Sequence, residues 1–225
     1  YNRIEKAHKL IERLKQGQNI ALITDAGTPG ISDPGEDLVR LCHEAGIAVT
    51  SLPGACACIT ALTLSGRPTR RFCFEAFLPG DKKERQMVLG ELKEETRTII
   101  LYEAPHRLVK TLKELREVLG NRRVTICREL TKKHETAFLT TFEEALEHFS
   151  LEEPKGECVL VVEGKTFAQV KREQQESWET LTVPEHMEYY LEQGLDKKEA
   201  MKQVAKDRGV GKREIYQMLI DLRKF

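Results

Sequence analysis

The sequence is short of aromatic residues, which make up 6% of its 225 positions, and it holds one tryptophan. No apolar run is long enough to span a bilayer, and no signal peptide precedes the first helical stripe, so a membrane protein is not expected. The six cysteines (42, 56, 58, 73, 127 and 158) form no C-x-x-C pair, which argues against a zinc site or a disulfide framework. Their apolar neighbourhoods suit buried, reduced thiols. No metal is expected, and the location is expected to be cytoplasmic. Two familiar phosphate motifs, G-x-x-x-x-G-K-[ST] and G-x-G-x-x-G, are also missing, so neither a P-loop nor a dinucleotide fingerprint is supported.

Net charge is zero as well, but only in the sum, from 36 basic and 36 acidic groups. Residues 67–134 carry 17 basic against 10 acidic groups, whereas residues 135–177 carry 4 against 10. A basic middle suits a polyanionic partner better than the overall balance implies.

What the chain does have is a rigid glycine loop. Asp25-Ala-Gly-Thr-Pro-Gly-Ile-Ser-Asp-Pro-Gly35 follows the apolar run Ile20–Thr24, which reads as a buried strand, and precedes an amphipathic run, 36–45, which reads as a helix. In open α/β sheets, ligands bind at the carboxyl ends of strands. Glycine lets backbone approach a ligand, and proline stiffens the adjoining turns.

The spacing predicts a helix over 3–16, strands at 19–24 and 47–52, and a small-residue helix over 55–65. A boundary falls at Gly66-Arg-Pro68. Then come strand 72–77, helix 81–95, strand 97–102, helix 106–119, strands 122–129 and 136–141, helix 142–149 and strand 157–163. This alternation predicts two α/β units. Residues 165–177 are polar and aperiodic and read as a linker. Helices over 184–193, 196–207 and 211–223 follow, the last two joined around glycine like a helix-turn-helix. Residues 197–213 carry seven basic and two acidic groups.

Chemistry-bearing residues gather where predicted strands end. Glu103, His106 and Arg107 lie in Tyr102-Glu-Ala-Pro-His-Arg107; Arg128-Glu-Leu-Thr-Lys-Lys-His134 follows the next strand. Taken with the glycine loop, these sequences resemble one family. The ordered set Asp25–Gly35, Pro53-Gly54-Ala-Cys-Ala, Phe74-Glu-Ala-Phe-Leu-Pro79, Tyr102–Arg107, Arg128-Glu-Leu-Thr131 and Gly156-Glu157 is similar to the ribosomal RNA small-subunit methyltransferase I family of the tetrapyrrole methylase superfamily.

The resemblance implies an α/β, two-domain tetrapyrrole-methylase-like (class III methyltransferase) fold plus a small C-terminal helix-turn-helix. On that reading residues 1–68 are the first domain, 69–166 the second, 167–180 a linker and 181–225 an RNA-binding module. The implied activity is S-adenosylmethionine-dependent methylation of a cytidine ribose 2′-oxygen in 16S rRNA, by a homodimer acting on the RNA or the small subunit. A tetrapyrrole methyltransferase and a non-enzymatic DNA-binding regulator are the competing readings. Carried onto this chain, Asp25, Ala26, Gly27, Thr28, Pro29, Cys56, Ala57, Tyr102, Arg128, Glu129 and Gly156 would hold the cofactor. Glu103 or Glu129 would be the base, with Arg107 and Arg128 holding phosphate or alkoxide. Arg67, Arg70, Arg71, Lys82, Lys83, Lys132, Lys133, Lys198, Lys202, Lys212 and Arg213 would meet RNA. Two departures stand out. Cys56 replaces the family's usual serine, and the family's opening strand and Pro-Ile-Gly-Asn-type loop are expected to lie before the equivalent of Tyr1.

Overall fold

The computed structural model describes residues 2–221, which fall into two compact units, one running through Gly164 and the other starting at Lys165. Among the described residues, no helix is long and apolar enough to cross a membrane. The end of the predicted 211–223 helix lies outside the described residues.

The first unit opens with α1 (Asn2–Lys15), whose Ala7 and Ile11 are buried one turn apart. The glycine loop then leads into α2 (Glu36–Glu44). Glycine is needed at the junction. A Cβ on Gly35 would stand 2.7 Å from a Leu22 methyl and 3.3 Å from the Gly30 Cα. The third helix, α3 (Ala57–Ser65), ends on Gly66 in the left-handed region at φ 64°.

The expected strands at 19–24 and 47–52 are not formed. A strand exists only by pairing, and among the described residues neither run joins a ladder. Their apolar side chains stay open to solvent, with Ile23 and Leu52 each 83% exposed. All described strands instead join one sheet. They are β1 (Phe72–Phe77), β2 (Thr98–Glu103), β3 (Arg123–Arg128), β4 (Thr136–Thr141) and β5 (Cys158–Val162), in the order β1-β2-β5-β3-β4. Strands β1 and β2 are parallel; β5 is antiparallel to both β2 and β3, and β4 is antiparallel to β3. The predicted boundary near Pro68 therefore passes from α3 into β1 within this same unit.

Helices cover both faces of the sheet. On one face α4 (Lys82–Glu94), α5 (Pro105–Leu119) and α6 (Phe142–Leu151) bury Leu89, Leu108, Leu112, Leu115 and Phe142 against Ile99, Leu101, Val124, Ile126 and Leu160. On the other, Cys58, Ala61 and Leu62 of α3 cover Ile100, Cys127, Val159 and Val161. Central strands covered on both faces are largely apolar, which is why Ile99–Tyr102 within β2 and Cys158–Val162 of β5 read as hydrophobic runs. Local signals fix the helix starts. Asp81 accepts from the Lys83 and Glu84 amides, and Thr141 with Glu144 forms a reciprocal cap on α6.

The second unit is helical: α7 (Phe167–Glu179), α8 (Val183–Glu192), α9 (Lys197–Asp207) and α10 (Lys212–Asp221). Val183, Met187, Ala200, Met201, Val204, Ala205 and Ile215 form its core. The stretch expected to be a linker is α7, capped by the Thr166–Gln169 box. It reads as aperiodic because none of its residues is fully buried. Trp178 fastens it, stacking on buried His186 with ring centroids 4.1 Å apart. Arg208 clamps the same place, donating to His186 Nδ1 (3.2 Å), to the Trp178 carbonyl (3.0 Å) and to the Leu181 carbonyl. Between α9 and α10, Gly209 lies so near Gln175 of α7 that a Cβ would fall 2.0 Å from its amide nitrogen.

Candidate active site

The strand directions bring the chemistry-bearing loops to one end of the sheet. The carboxyl ends of β1, β2 and β3 and the amino end of β5 meet there, as the rows Phe77–Tyr102–Val159–Cys127 and Glu103–Cys158–Arg128 record. The two predicted strand-end sequences, Tyr102–Arg107 and Arg128–His134, both leave the sheet at this edge.

Successive strand residues point to opposite faces, so Tyr102 and Glu103 do different jobs. Tyr102 lies on the α3 side. Its hydroxyl oxygen accepts from the Cys58 backbone N–H at 3.1 Å. This supplies the cap that α3 otherwise lacks, because the N-cap Cys56 makes no side-chain cap bond. Burial raises the phenol pKa well above its usual value, so the hydroxyl stays neutral. The same turn carries two thiols, with Cys56 Sγ 3.3 Å from Cys58 Sγ. Burial, followed by the Cys56 sulfur, pushes the Cys58 thiol up to about 11, so it is a proton-bearing neighbour and not a nucleophile.

The glycine loop reaches this turn. Thr28 Oγ1 donates to the Ala55 carbonyl at 3.0 Å, and a Cβ on Gly27 would stand 3.1 Å from the same oxygen. A Cβ on Gly54 would meet Thr28 Oγ1 at 3.1 Å. Asp25, Ala26 and Gly27 are exposed, while Thr28 and Pro29 are half-buried. The 27–28 segment thus packs closely on the 54–57 turn, a joint cradle beside the Tyr102-capped helix end.

Glu103 lies on the opposite face, with its side chain 1% exposed. Its carboxylate accepts from Thr111 Oγ1 (2.6 Å), the Ala104 amide (2.8 Å) and Arg107 Nε (3.0 Å). Behind it, Arg85 donates to Thr111 at 2.8 Å and pairs with Glu114. Glu103 is therefore shut away from any substrate, and what it presents is Arg107. Thr111, eight residues along, was not singled out from sequence; its only sequence signal was a polar position on the inner face of α5.

Glu129 sits at φ +50° just past β3. Its Oε1 accepts from the Glu157 amide (2.9 Å) and from Lys132 Nζ (3.2 Å), and Lys132 also reaches Glu157 at 2.9 Å. The Glu157 backbone bond, then Lys132, hold the Glu129 carboxyl below its usual range. Gly156 leaves the room for this, since a Cβ there would fall 2.4 Å from Glu129 Cγ. Arg128, two strands from Glu103 in the same row, has a buried Nε with no hydrogen-bond partner among the described residues.

The predicted RNA contacts scatter. Lys82, Lys83 and Lys133 are exposed near the end of the sheet that carries Glu103 and Arg128, and Lys132 is tied as described. Arg70 and Arg71 precede β1 and so stand at the opposite end. Arg67 is 12% exposed and pairs with Glu163 at 3.2 Å, which fits a structural role better than a surface contact. Lys198, Lys202, Lys212 and Arg213 are exposed on α9 and α10 of the second unit.

A mixed sheet with helices on both faces, bearing a glycine–proline loop and a capped helix end at one edge, defines a methylase-type α/β domain. The sequence model for Tetrapyrrole (Corrin/Porphyrin) Methylases matches residues 1–146. Among solved structures, the methyltransferase CobJ shares this fold with a TM-score of 0.56 at 18% identity, over 73% of this chain and 72% of its own. Proteins named ribosomal RNA small subunit methyltransferase I are far closer in sequence. The one from Bacillus subtilis is 47% identical, over 96% of this chain and 74% of its own length. The one from Escherichia coli O157:H7 is 43% identical, over 98% and 76%. The chain belongs to the ribosomal RNA small subunit methyltransferase I family.

Proposed function

We propose that this chain methylates the ribose 2′-oxygen of a cytidine in 16S rRNA, using S-adenosylmethionine, as a cytoplasmic homodimer. Membership of the family supports the reaction, and one observation supports its location. The cradle of 27–28 and 54–57, the Tyr102-capped end of α3 and the Arg107, Arg128 and Glu129 loops share one edge of one sheet.

The residues fit the cofactor. Asp25, Ala26 and Gly27 are exposed on the glycine loop, where bare main chain suits a ligand held by backbone groups. When bound, S-adenosylmethionine supplies an already electrophilic methyl group. The protein's task is then to set a ribose oxygen in line with it, at about 3–3.5 Å, and to ease the loss of the hydroxyl proton. A main-chain contact at Cys56 keeps its value despite the replaced serine, since only the side chain differs.

Of the two carboxylates expected to act as base, Glu103 is withdrawn by burial. Glu129 is the remaining candidate, because the hydrogen bonds from Lys132 and the Glu157 amide both fall on its Oε1. A carboxylate held below its usual range is a weak base, so Arg128 carries more of the burden, stabilising the developing alkoxide. Arg107, fixed by Glu103, holds the neighbouring phosphate. The exposed cations of α9 and α10 add backbone affinity that falls with salt.

The test is methyl transfer from labelled cofactor to small ribosomal subunits, to free 16S rRNA and to a porphyrinoid. Transfer to RNA at a cytidine 2′-oxygen is expected. Transfer to the porphyrinoid alone would replace this reading with the tetrapyrrole one.

A further inference from the structure

Strand β1 spends a residue on turning a phenylalanine around. Its pairing with β2 slips between Phe74 and Ala76, leaving Glu75 without a partner position, and Ala76 takes φ +48°. A non-glycine residue in that region is strained, and bulges concentrate where a side chain must be re-aimed. Without the extra residue the period of two would set Phe74 and Phe77 on opposite faces. With it both meet Tyr102, Phe74 at 4.9 Å and Phe77 at 5.7 Å between ring centroids, each edge-on.

The core does not need Phe77. The ring is 46% exposed, whereas Phe74 and Phe72 already pack on the α3 side. Against it stands the Arg107 guanidinium, 5.8 Å from the ring centroid. Glu103 grips Arg107 by Nε, so the terminal nitrogens take no part in that bond. An exposed aromatic ring beside a pre-oriented guanidinium is the arrangement on which a splayed-out base stacks while its phosphate is held.

We propose that Phe77 and Arg107 form the seat of an RNA nucleobase, that of the nucleotide whose ribose is methylated or its immediate neighbour. Phe77 supplies the stacking surface, and Arg107 beside it supplies a phosphate contact. Tyr102 joins this seat to the end of α3, so base and cofactor cradle are set by one row of rings. The inference rests on the rRNA reading of the same site.

The experiment compares the wild-type chain with Phe77→Leu and Phe77→Trp. Cofactor affinity is measured by calorimetry, and methyl transfer is measured against rising concentrations of small subunits or 16S rRNA. Phe77→Leu should raise KM for RNA about tenfold, Phe77→Trp should hold it within about threefold, and cofactor affinity should stay within about twofold in both. An unchanged KM in Phe77→Leu would overturn the proposal. So would a loss of cofactor affinity, which would assign the ring to the cofactor's adenine. Should the wild-type chain itself transfer no methyl to RNA, the failure belongs to the parent reading, which that arm tests separately.

Discussion

Replacing Glu103 with glutamine separates the structural account from the one the sequence suggests. In the native chain three donors converge on a carboxylate that is almost wholly buried. Glutamine keeps one acceptor oxygen for Ala104 and Arg107, and its amide can donate to Thr111, so packing survives. What disappears is the charge opposite Arg107. A hydrogen bond to a charged group contributes about 1.5–3 kcal/mol, and Arg107 is a third exposed, which favours the lower half. Urea denaturation should therefore show a loss of about 1.5–2 kcal/mol at an unchanged m-value. Methyl transfer should fall by one to two orders of magnitude as Arg107 loses its orientation, expressed mainly in KM for RNA. The acid limb of the pH–rate profile should not move, because Glu103 takes no proton from the substrate. A general base would behave otherwise, with kcat collapsing and the acid limb vanishing. Either that profile or wild-type stability in Glu103→Gln would refute the reasoning.

Three further outcomes follow from other contacts. Tyr102→Phe removes the acceptor for the Cys58 amide and should cost about 1 kcal/mol in thermal or urea unfolding, with weakened cofactor binding; unchanged stability would remove the capping role. Glu95, pulled down to about 2 chiefly by hydrogen bonds from Arg97, has a folded pKa below its unfolded one. Its contribution of about 1–2 kcal/mol, discounted for the exposed Arg97, is therefore present above pH 4.5 and lost as pH falls towards 2. Glu95→Gln should accordingly match the parent near pH 2 and fall below it at pH 7, and a pH-independent difference would contradict this. Lys198→Ala combined with Lys202→Ala should weaken RNA binding and flatten its logarithmic salt dependence by roughly 1.5, leaving cofactor affinity alone; an unaltered slope would take α9 out of the interface.

Much of the fold was legible because local signals agree with the tertiary result. Pro105 opens α5 and Gly120 closes it; Asp81, Thr141 and Asp196 mark helix starts by their side chains. The runs at 20–24 and 47–52 carry an equally clear strand pattern, yet they are unpaired, because pairing depends on a neighbour that periodicity does not supply. Helix α7 hid for the opposite reason. It is held by the Trp178 ring, the Arg208 clamp and the Gln175–Gly209 approach, with none of its residues fully buried, so no apolar stripe appears.

In the site, the loop and motif positions could be read from the chain, since glycine, proline and strand ends mark them. Roles could not. Tyr102 and Glu103 are adjacent in sequence but serve opposite faces, and the bulge at Glu75 that turns Phe77 is invisible to any count of two. The charge tally likewise grouped Arg67, Arg70 and Arg71 with Lys82 and Lys83, although the sheet places them at opposite ends.

The central claim is that one sheet edge holds both a methyl donor and a ribose. It is tested most directly by incubating this chain with labelled S-adenosylmethionine and small ribosomal subunits, then digesting the RNA with alkali. Label should remain in a single alkali-resistant dinucleotide containing cytidine. Label that is absent, or released wholly as mononucleotides, would contradict the account.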